Sequence, residues 1–356
     1  MENVYSQVKM FHFGEKLRDL KNGKVSPPVH IRLKPINACN HRCFYCCYRN
    51  PDLLLNQRFN EKDMIPQAKM REITADIAAG GVKAVTFTGG GEPLIYPHIA
   101  DAVEALINND VKVAVLTNGS RLKGDVARPL ANGASWVRIS IDAADREGFA
   151  RSRGVGPEEF DNIISNIENF ARQKHPDCEL GINFIVTQFN VEKVFTFIKL
   201  MKDLGADHVK VSECVVSTDG RRNNQYHADY FESVKAQIKR ARQQLGGDGF
   251  NIIDKFHNFE EEYQKHYSRC PFINFINVVA ADLNVYSCQD KAYTDSGILG
   301  SIENRSLREL WNSDEYATRI GELNPSRLCG HHCVQHWKNL MLLDFLDTDE
   351  RHLEFV

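Results

Sequence analysis

The chain has 356 residues, 42% of them hydrophobic and 26% charged, with a net charge of −3. That is the make-up of an ordinary globular protein, long enough for one large barrel and an appendage. It offers no basic field to nucleic acid, no run long enough to span a membrane and no basic-then-apolar signal at its start, and its ten cysteines then fit a reducing, cytoplasmic compartment in which thiols serve metals or catalysis.

Residues 1–28 are polar and mixed and end in Ser26-Pro27-Pro28, a lead-in too short for a folded recognition domain. From residue 29 to about 215, short β-rich runs alternate with helical patterns, as βα units on a parallel sheet do. Strands are expected at 31–34, 84–88, 112–116, 136–141, 181–186 and 208–212. Between them, Phe160, Ile163, Ile164, Ile167 and Phe170 share one helical face, and a second helix runs from a cap at Asn190 through Val194, Phe195 and Ile198 to Gly205. Helical, charged text continues from His227 to Gly246. Six units are too few for a closed eight-stranded barrel and fit an open, partial (β/α)6 barrel over 29–246, with its active site at the C-terminal strand ends. The remaining text, 247–356, reads as a small α+β domain. It holds a hairpin (273–280, a turn near Asp282, then 285–287), a capping box at Ser306-Leu-Arg-Glu309, and a last helix carrying Val334, Trp337, Leu340, Met341 and Phe345.

Directly after the first expected strand comes Cys39-Asn-His-Arg-Cys43-Phe-Tyr-Cys46. Thiolates are soft donors that suit iron–sulfur clusters or zinc. A structural zinc site asks for four closed ligands, whereas three cysteines in eight residues suit a cubane whose fourth iron stays open to a small molecule. A zinc knuckle is the plainer alternative. The second strand ends in Thr88-Gly89-Gly90-Gly91-Glu92-Pro93, where glycines let the backbone approach a ligand or simply turn. Thr117-Asn118-Gly119 ends the third strand, and Ser140-Ile-Asp142 ends the fourth with Ser140 and Asp142 on one face. Arg153 follows; in isolation it reads as a solvated surface residue.

The cysteine motif, with Tyr45 before its last thiol, and the Gly90-Gly91-Glu92 element resemble those of the radical S-adenosylmethionine (SAM) enzymes, over about residues 29–345. The resemblance implies a 4Fe–4S cluster on Cys39, Cys43 and Cys46 whose open iron SAM chelates. It also implies SAM contacts from Tyr45, Gly90, Gly91, Glu92, Asn118, Ser140, Asp142 and Arg153, with Asn183 a weaker polar candidate. Cys270, Cys288, Cys329 and Cys333 are enough to ligate one complete further cluster. Together with Gly300-Ser-Ile-Glu-Asn304 and Ser306-Leu-Arg-Glu-Leu-Trp311, they resemble the SPASM/Twitch auxiliary-cluster domains, in the shortened form that holds one auxiliary 4Fe–4S cluster. Structural zinc, with His331 or His332 as a substitute ligand, is the alternative.

Three thiols remain. Cys47 reads as a spare and Cys178 as incidental loop text. Cys214 follows the sixth strand at the rim, where a thiol can return a hydrogen atom to a substrate radical, as an epimerase needs; a small buried hydrophobe is the plainer reading. Ser212 and Glu213 are neighbouring candidates for proton transfer. The expected function is radical SAM chemistry: SAM is cleaved reductively and a hydrogen is abstracted from a small polar metabolite such as a sugar or aminocyclitol, by oxidation or epimerisation. A maturase that cross-links or epimerises a ribosomally made peptide is the second reading, and a non-catalytic metal-binding scaffold the third. The expected partners are the substrate and a low-potential donor such as flavodoxin or ferredoxin, with neither nucleic acid nor membrane among them.

Overall fold

In the computed structural model, which describes residues 6–53, 55–247, 249–256 and 263–354, all six expected strands form. They are β1 (His30–Leu33), β2 (Ala84–Phe87), β3 (Lys112–Thr117), β4 (Ala134–Ser140), β5 (Glu179–Val186) and β6 (His208–Glu213), paired in chain order and all parallel. Parallel pairing requires a crossover between neighbours, and the helices Gln67–Ala79, Ile99–Ile107, Gly124–Gly133, Glu158–Gln173 and Val194–Asp203 supply one each. Alternation along the strands decides which side meets them. Ile31, Leu33, Phe87, Val115, Ile139, Phe184 and Val211 are fully buried in the core that includes these helices. Arg32, Thr86, Arg138, Asn183 and Lys210 take the other, concave face.

The sheet continues past the six expected strands. After the helix Phe231–Leu245, β7 (Asn251–Lys255) pairs parallel with β6 as a seventh βα unit. At the opposite edge, the hairpin β8 (Ile276–Val279) and β9 (Asn284–Tyr286) is joined by β10 (Ile298–Ser301), antiparallel within itself. β8 lies parallel against β1, so the small C-terminal domain and the barrel share one ten-stranded sheet. The capping box forms as expected: Ser306 Oγ accepts from Glu309 N at 3.2 Å, and Ser306 N donates to the Glu309 carboxylate at 2.6 Å.

Two local expectations change. Asn190 does not cap the helix after it. Its amide donates to Asp142 O at 3.0 Å and Ile185 O at 2.8 Å, tying the end of β4 to the end of β5, and the α-helix begins only at Val194. The last helix spans His336–Asp347, which leaves Val334 outside it, and it buries Asn339 and Leu342 while Trp337 faces solvent. No helix among the described residues is long and apolar enough to cross a membrane.

Candidate functional site

Cys39, Cys43 and Cys46 lie on the loop that leaves β1, and local hydrogen bonds shape it. Cys46 N donates to Cys43 O at 3.2 Å, Arg49 and Asn50 donate to Cys46 O, and Arg49 Nη1 reaches His41 O at 2.8 Å. The glycines after β2 hold this loop from below. Gly91 N donates to Ile36 O at 3.1 Å and Glu92 N to Ala38 O at 3.0 Å. A Cβ on Gly91 would stand 1.8 Å from Ala38 O, and one on Gly90 2.1 Å from Asn37 Oδ1. The glycines are therefore demanded first by the cysteine loop itself, because any side chain there would push the two loops apart.

The three thiols surround a cavity of about 350 Å³, which Gly90, Gly91, Tyr45, His41, Ile185, Glu213 and Cys214 also line. Sequence reasoning placed Cys214 at the rim; the structure sets it, buried, beside the cluster thiols. Burial pushes the Cys214 thiol up to about 12, with Asp142 and Glu213 adding to it, so it stays an S–H. Burial likewise raises Cys39 to about 11. Three soft donors on one open cavity fit a cluster with an exchangeable corner, and its irons would supply the positive charge that lets such thiols ionise.

The expected SAM contacts divide. Glu92 turns its carboxylate toward the end of β3 and not into the cavity: it accepts from Leu94 N at 3.0 Å, Thr117 Oγ1 at 2.6 Å and Asn118 N at 2.7 Å. Burial still raises its pKa to about 6 against those three donors. Asn118 is similarly committed, to Asn40 and Ser120. Gly119, at φ +82°, makes the turn, and the buried Asn166 clasps its carbonyl at 2.9 Å. Tyr45, Ser140, Asp142 and Arg153 do come together. The Asp142 carboxylate accepts from the Tyr45 hydroxyl, Arg153 Nη2 and Ile185 N, and Arg153 also reaches Ser140 Oγ at 3.1 Å and Cys43 Sγ at 3.5 Å. Arg153 Nε is buried without an acceptor. That orphaned donor beside a cluster cysteine fits the carboxylate of SAM.

Cys270, Cys288, Cys329 and Cys333 line one further cavity. All four thiols are raised by burial, and the Cys288 thiol is raised further by the other three. Four sulfurs on one cavity that repel one another when ionised fit the donor set of a complete cluster. Among the described residues, no three His, Cys, Asp or Glu side chains are set to hold a single metal ion. His331 lines the same cavity with Nε2 buried and unpartnered, whereas His332 faces Glu213 at 3.5 Å. Cys178 packs into the core, as an incidental cysteine does.

Sequence reasoning missed Lys34. It is fully buried one residue past β1, and its Nζ donates to Tyr48 OH at 2.5 Å and Gly89 O at 2.6 Å. Tyr48 OH in turn accepts from Gln289 Nε2 at 2.7 Å, so the two cysteine loops meet through one phenol. Burial lowers Lys34 to about 7. The only sequence signal was a lysine ending an apolar strand.

Comparison with known proteins follows the same division. Residues 33–201 match the model of the radical SAM superfamily, and residues 270–334 match an iron–sulfur cluster-binding domain, SPASM. Among solved structures, SuiB of Streptococcus suis bound to the precursor peptide SuiA is similar over 96% of this chain and 79% of that one, at 16% identity and a TM-score of 0.65. The protein anSMEcpe with bound AdoMet is similar over 90% of this chain and 97% of that one, at 15% identity and a TM-score of 0.58. Another structure of anSMEcpe, with AdoMet and a peptide, gives 16% identity over 83% of each chain and a TM-score of 0.57.

Proposed function

We propose that this chain, which belongs to the radical SAM superfamily and carries a SPASM domain behind its barrel, abstracts a hydrogen atom from a peptide held over the cavity of Cys39, Cys43 and Cys46. Members of the superfamily are enzymes, and the cofactors are the 4Fe–4S cluster, SAM and auxiliary iron–sulfur. When bound, the open cluster and SAM would supply a 5′-deoxyadenosyl radical by reductive cleavage. The protein's own work is placement. The three thiols would hold the cluster, Arg153 Nε would orient SAM over Gly90 and Gly91, which have no side chain to block it, and the walls of Ile185 and Tyr45 would keep water from the radical. A flavodoxin or ferredoxin supplies the electron.

One observation moves the substrate from a small metabolite to a peptide. Beside the cavity, Phe44 and Phe189 stack edge-to-face with centroids 5.6 Å apart, yet they remain 45% and 53% exposed. An uncovered aromatic pair next to a reactive cavity suits a chain that lies across the rim more than a sugar that drops in. The neighbours SuiB and anSMEcpe, each with a peptide in its structure, support the same reading.

The test is anaerobic. The reconstituted protein, SAM and dithionite are mixed with size-fractionated extract from source cells grown in deuterated medium, and the mass of 5′-deoxyadenosine is read. Deuterium arriving from the peptide fraction, and lost when that fraction is digested to amino acids, is the expected result. Deuterium arriving only from the small-metabolite fraction overturns the peptide reading. Cys214→Ala adds the outcome at the substrate: if the parent places no solvent deuterium in the product and the variant makes the same product, Cys214 returns no hydrogen atom.

A further inference from the structure

Neither cluster binding nor SAM placement has used the charge of Lys34. Its side chain is fully buried between the two loops of the site, with Nζ donating to Tyr48 OH at 2.5 Å on one and to Gly89 O at 2.6 Å on the other. The rings of Tyr48 and Tyr293 stand over the ammonium, with centroids 4.6 and 5.7 Å away. All of these partners are neutral, and among the described residues no carboxylate pairs with it. Two neutral hydrogen bonds and two ring faces return only part of what an ammonium loses on leaving water. The other cations near the cysteine loop are arranged differently: Arg153 is paired with Asp142, and Arg49 with Glu61 at 2.8 Å.

The groups that act on Lys34 through space point to its counter-charge. Arg32 repels it and Asp290 attracts it, and Arg32 acts the more strongly, so these two together leave no net attraction. Asp290 is in any case shared, since it also faces Cys288 and Cys333 of the closed set. The remaining groups are the sulfurs of Cys46 and Cys47. Cys47 stands outside the cluster set, whereas Cys46 is one of its donors, and a thiol binds iron as the thiolate. A cluster on this loop therefore sets a lasting negative charge against a buried cation that lacks one. With three thiolates on a dicationic core, the oxidised cluster is already a net anion, and the electron it takes up adds a further negative charge. A fixed cation nearby favours that more negative state, and net charge is among the quantities that set a cluster's potential.

We propose that Lys34 is the buried counter-charge of the cluster on Cys39, Cys43 and Cys46, and that it raises the potential at which this cluster takes up an electron. It is a positioning residue that touches neither substrate nor SAM. The proposal rests on the cluster reading of the open set and is independent of whether the substrate is a peptide.

The test is an anaerobic redox titration of the reconstituted full chain with dithionite, followed by electron paramagnetic resonance. One electron passes from dithionite to each cluster, and no covalent bond changes. The signal to follow is the one that SAM perturbs, because only the open set leaves a corner for it. Lys34→Met removes the charge and the donors at nearly constant volume, and Lys34→Gln removes the charge but keeps N–H donors. Both are expected to keep their iron and circular dichroism. Both should lower the ratio of reduced to oxidised cluster about tenfold at a given applied potential, a shift of about 59 mV for a one-electron couple. Lys16→Met, which removes another buried lysine, bonded to Ser26 and Pro27 in the lead-in, is expected to leave the ratio unchanged. A parent-like ratio in both Lys34 variants overturns the proposal. A shift in the methionine variant alone also overturns it, because the lysine is then a hydrogen-bonded strut. So does an equal shift in Lys16→Met, which makes the effect one of overall charge, or loss of iron from both Lys34 variants, which assigns the lysine to cluster assembly. A parent chain without any SAM-sensitive signal overturns the cluster reading itself, and that failure shows before any variant is compared.

Discussion

The two cysteine sets are built in opposite ways. Cys39, Cys43 and Cys46 come from one loop and share a cavity of about 350 Å³ with Ile185 of β5 and Glu213 of β6. Cys270, Cys288, Cys329 and Cys333 come from three separate segments of the chain, the last two sharing the stretch between Leu328 and His336, and the fold gathers them with Tyr267, His331 and Asn339. A local motif can hold three corners of a cluster and leave the fourth to a ligand. A set assembled by the tertiary fold closes on whatever it holds. The first arrangement suits chemistry, and the second suits a resident group that also staples a small domain.

The largest effect is expected where an open set has no spare ligand. Cys43→Ser should reduce iron from about eight to about four per chain and leave no 5′-deoxyadenosine above background in an anaerobic assay with dithionite. Iron that stays near eight, or falls to none, would break the division into two independent sets. The mirror experiment is Cys329→Ser. It should also leave about four irons, but with 5′-deoxyadenosine still formed and roughly 3 kcal/mol of stability lost, since a tightly bound group no longer favours the folded state. Loss of SAM cleavage in that variant would mean that the closed set takes part in the chemistry.

The same contrast decides what could be read without a structure. The loop motif was legible because its three thiols and the glycines that support it are contiguous. Strands β1–β6 were legible from their apolar alternation, while β7 was not, because Ile252 and Ile253 are flanked by polar text. Tyr45, Asp142 and Arg153 were each expected to contact SAM; that they bind each other depends on how the ends of β4 and β5 meet. Lys34 left only the signal of a lysine ending an apolar strand, and the inward-facing cations Arg32, Arg138 and Lys210 left none. A basic residue in a strand looks the same from sequence whether it faces water or the inside of a barrel, and only closure of the sheet sets three of them together.

Within the open set, Asp142→Asn tests the packed support. The Asp142–Arg153 pair is almost wholly buried, at 0% and 4% side-chain exposure, and removing one charge from such a pair costs about 3–5 kcal/mol. The expected result is that loss in urea unfolding together with a raised KM for SAM; a neutral substitution would show that Arg153 has found another counter-charge. Between the sets, Tyr48 is the joint. A double-mutant cycle of Tyr48→Phe and Gln289→Leu should give a coupling of about 1 kcal/mol. Zero coupling would mean that the two cysteine loops are held in place independently.

The smallest effect lies away from both sets and supplies the reference they need. At the floor of the barrel, Glu179 Oε1 meets His208 Nδ1 at 2.7 Å, and the His208 ring lies where any side chain on Gly181 would collide, with Cε1 2.4 Å from its Cβ position. The histidine holds the Glu179 carboxyl below its usual 4.5. An acid whose folded pKa is depressed binds fewer protons folded than unfolded, so its contribution is complete above about 4.5 and is lost as the pH falls through the lowered value. Glu179→Gln should therefore cost about 1 kcal/mol at neutral pH, and parent and variant should converge as the solution is acidified. Unfolding midpoints in urea, measured with iron content followed in parallel, check this. Convergence with equal iron in both proteins assigns that part of the acid sensitivity to the scaffold, and what remains belongs to the cysteine sets. Curves that stay parallel down the acid range would remove the pair from the account and leave the clusters to explain all of it.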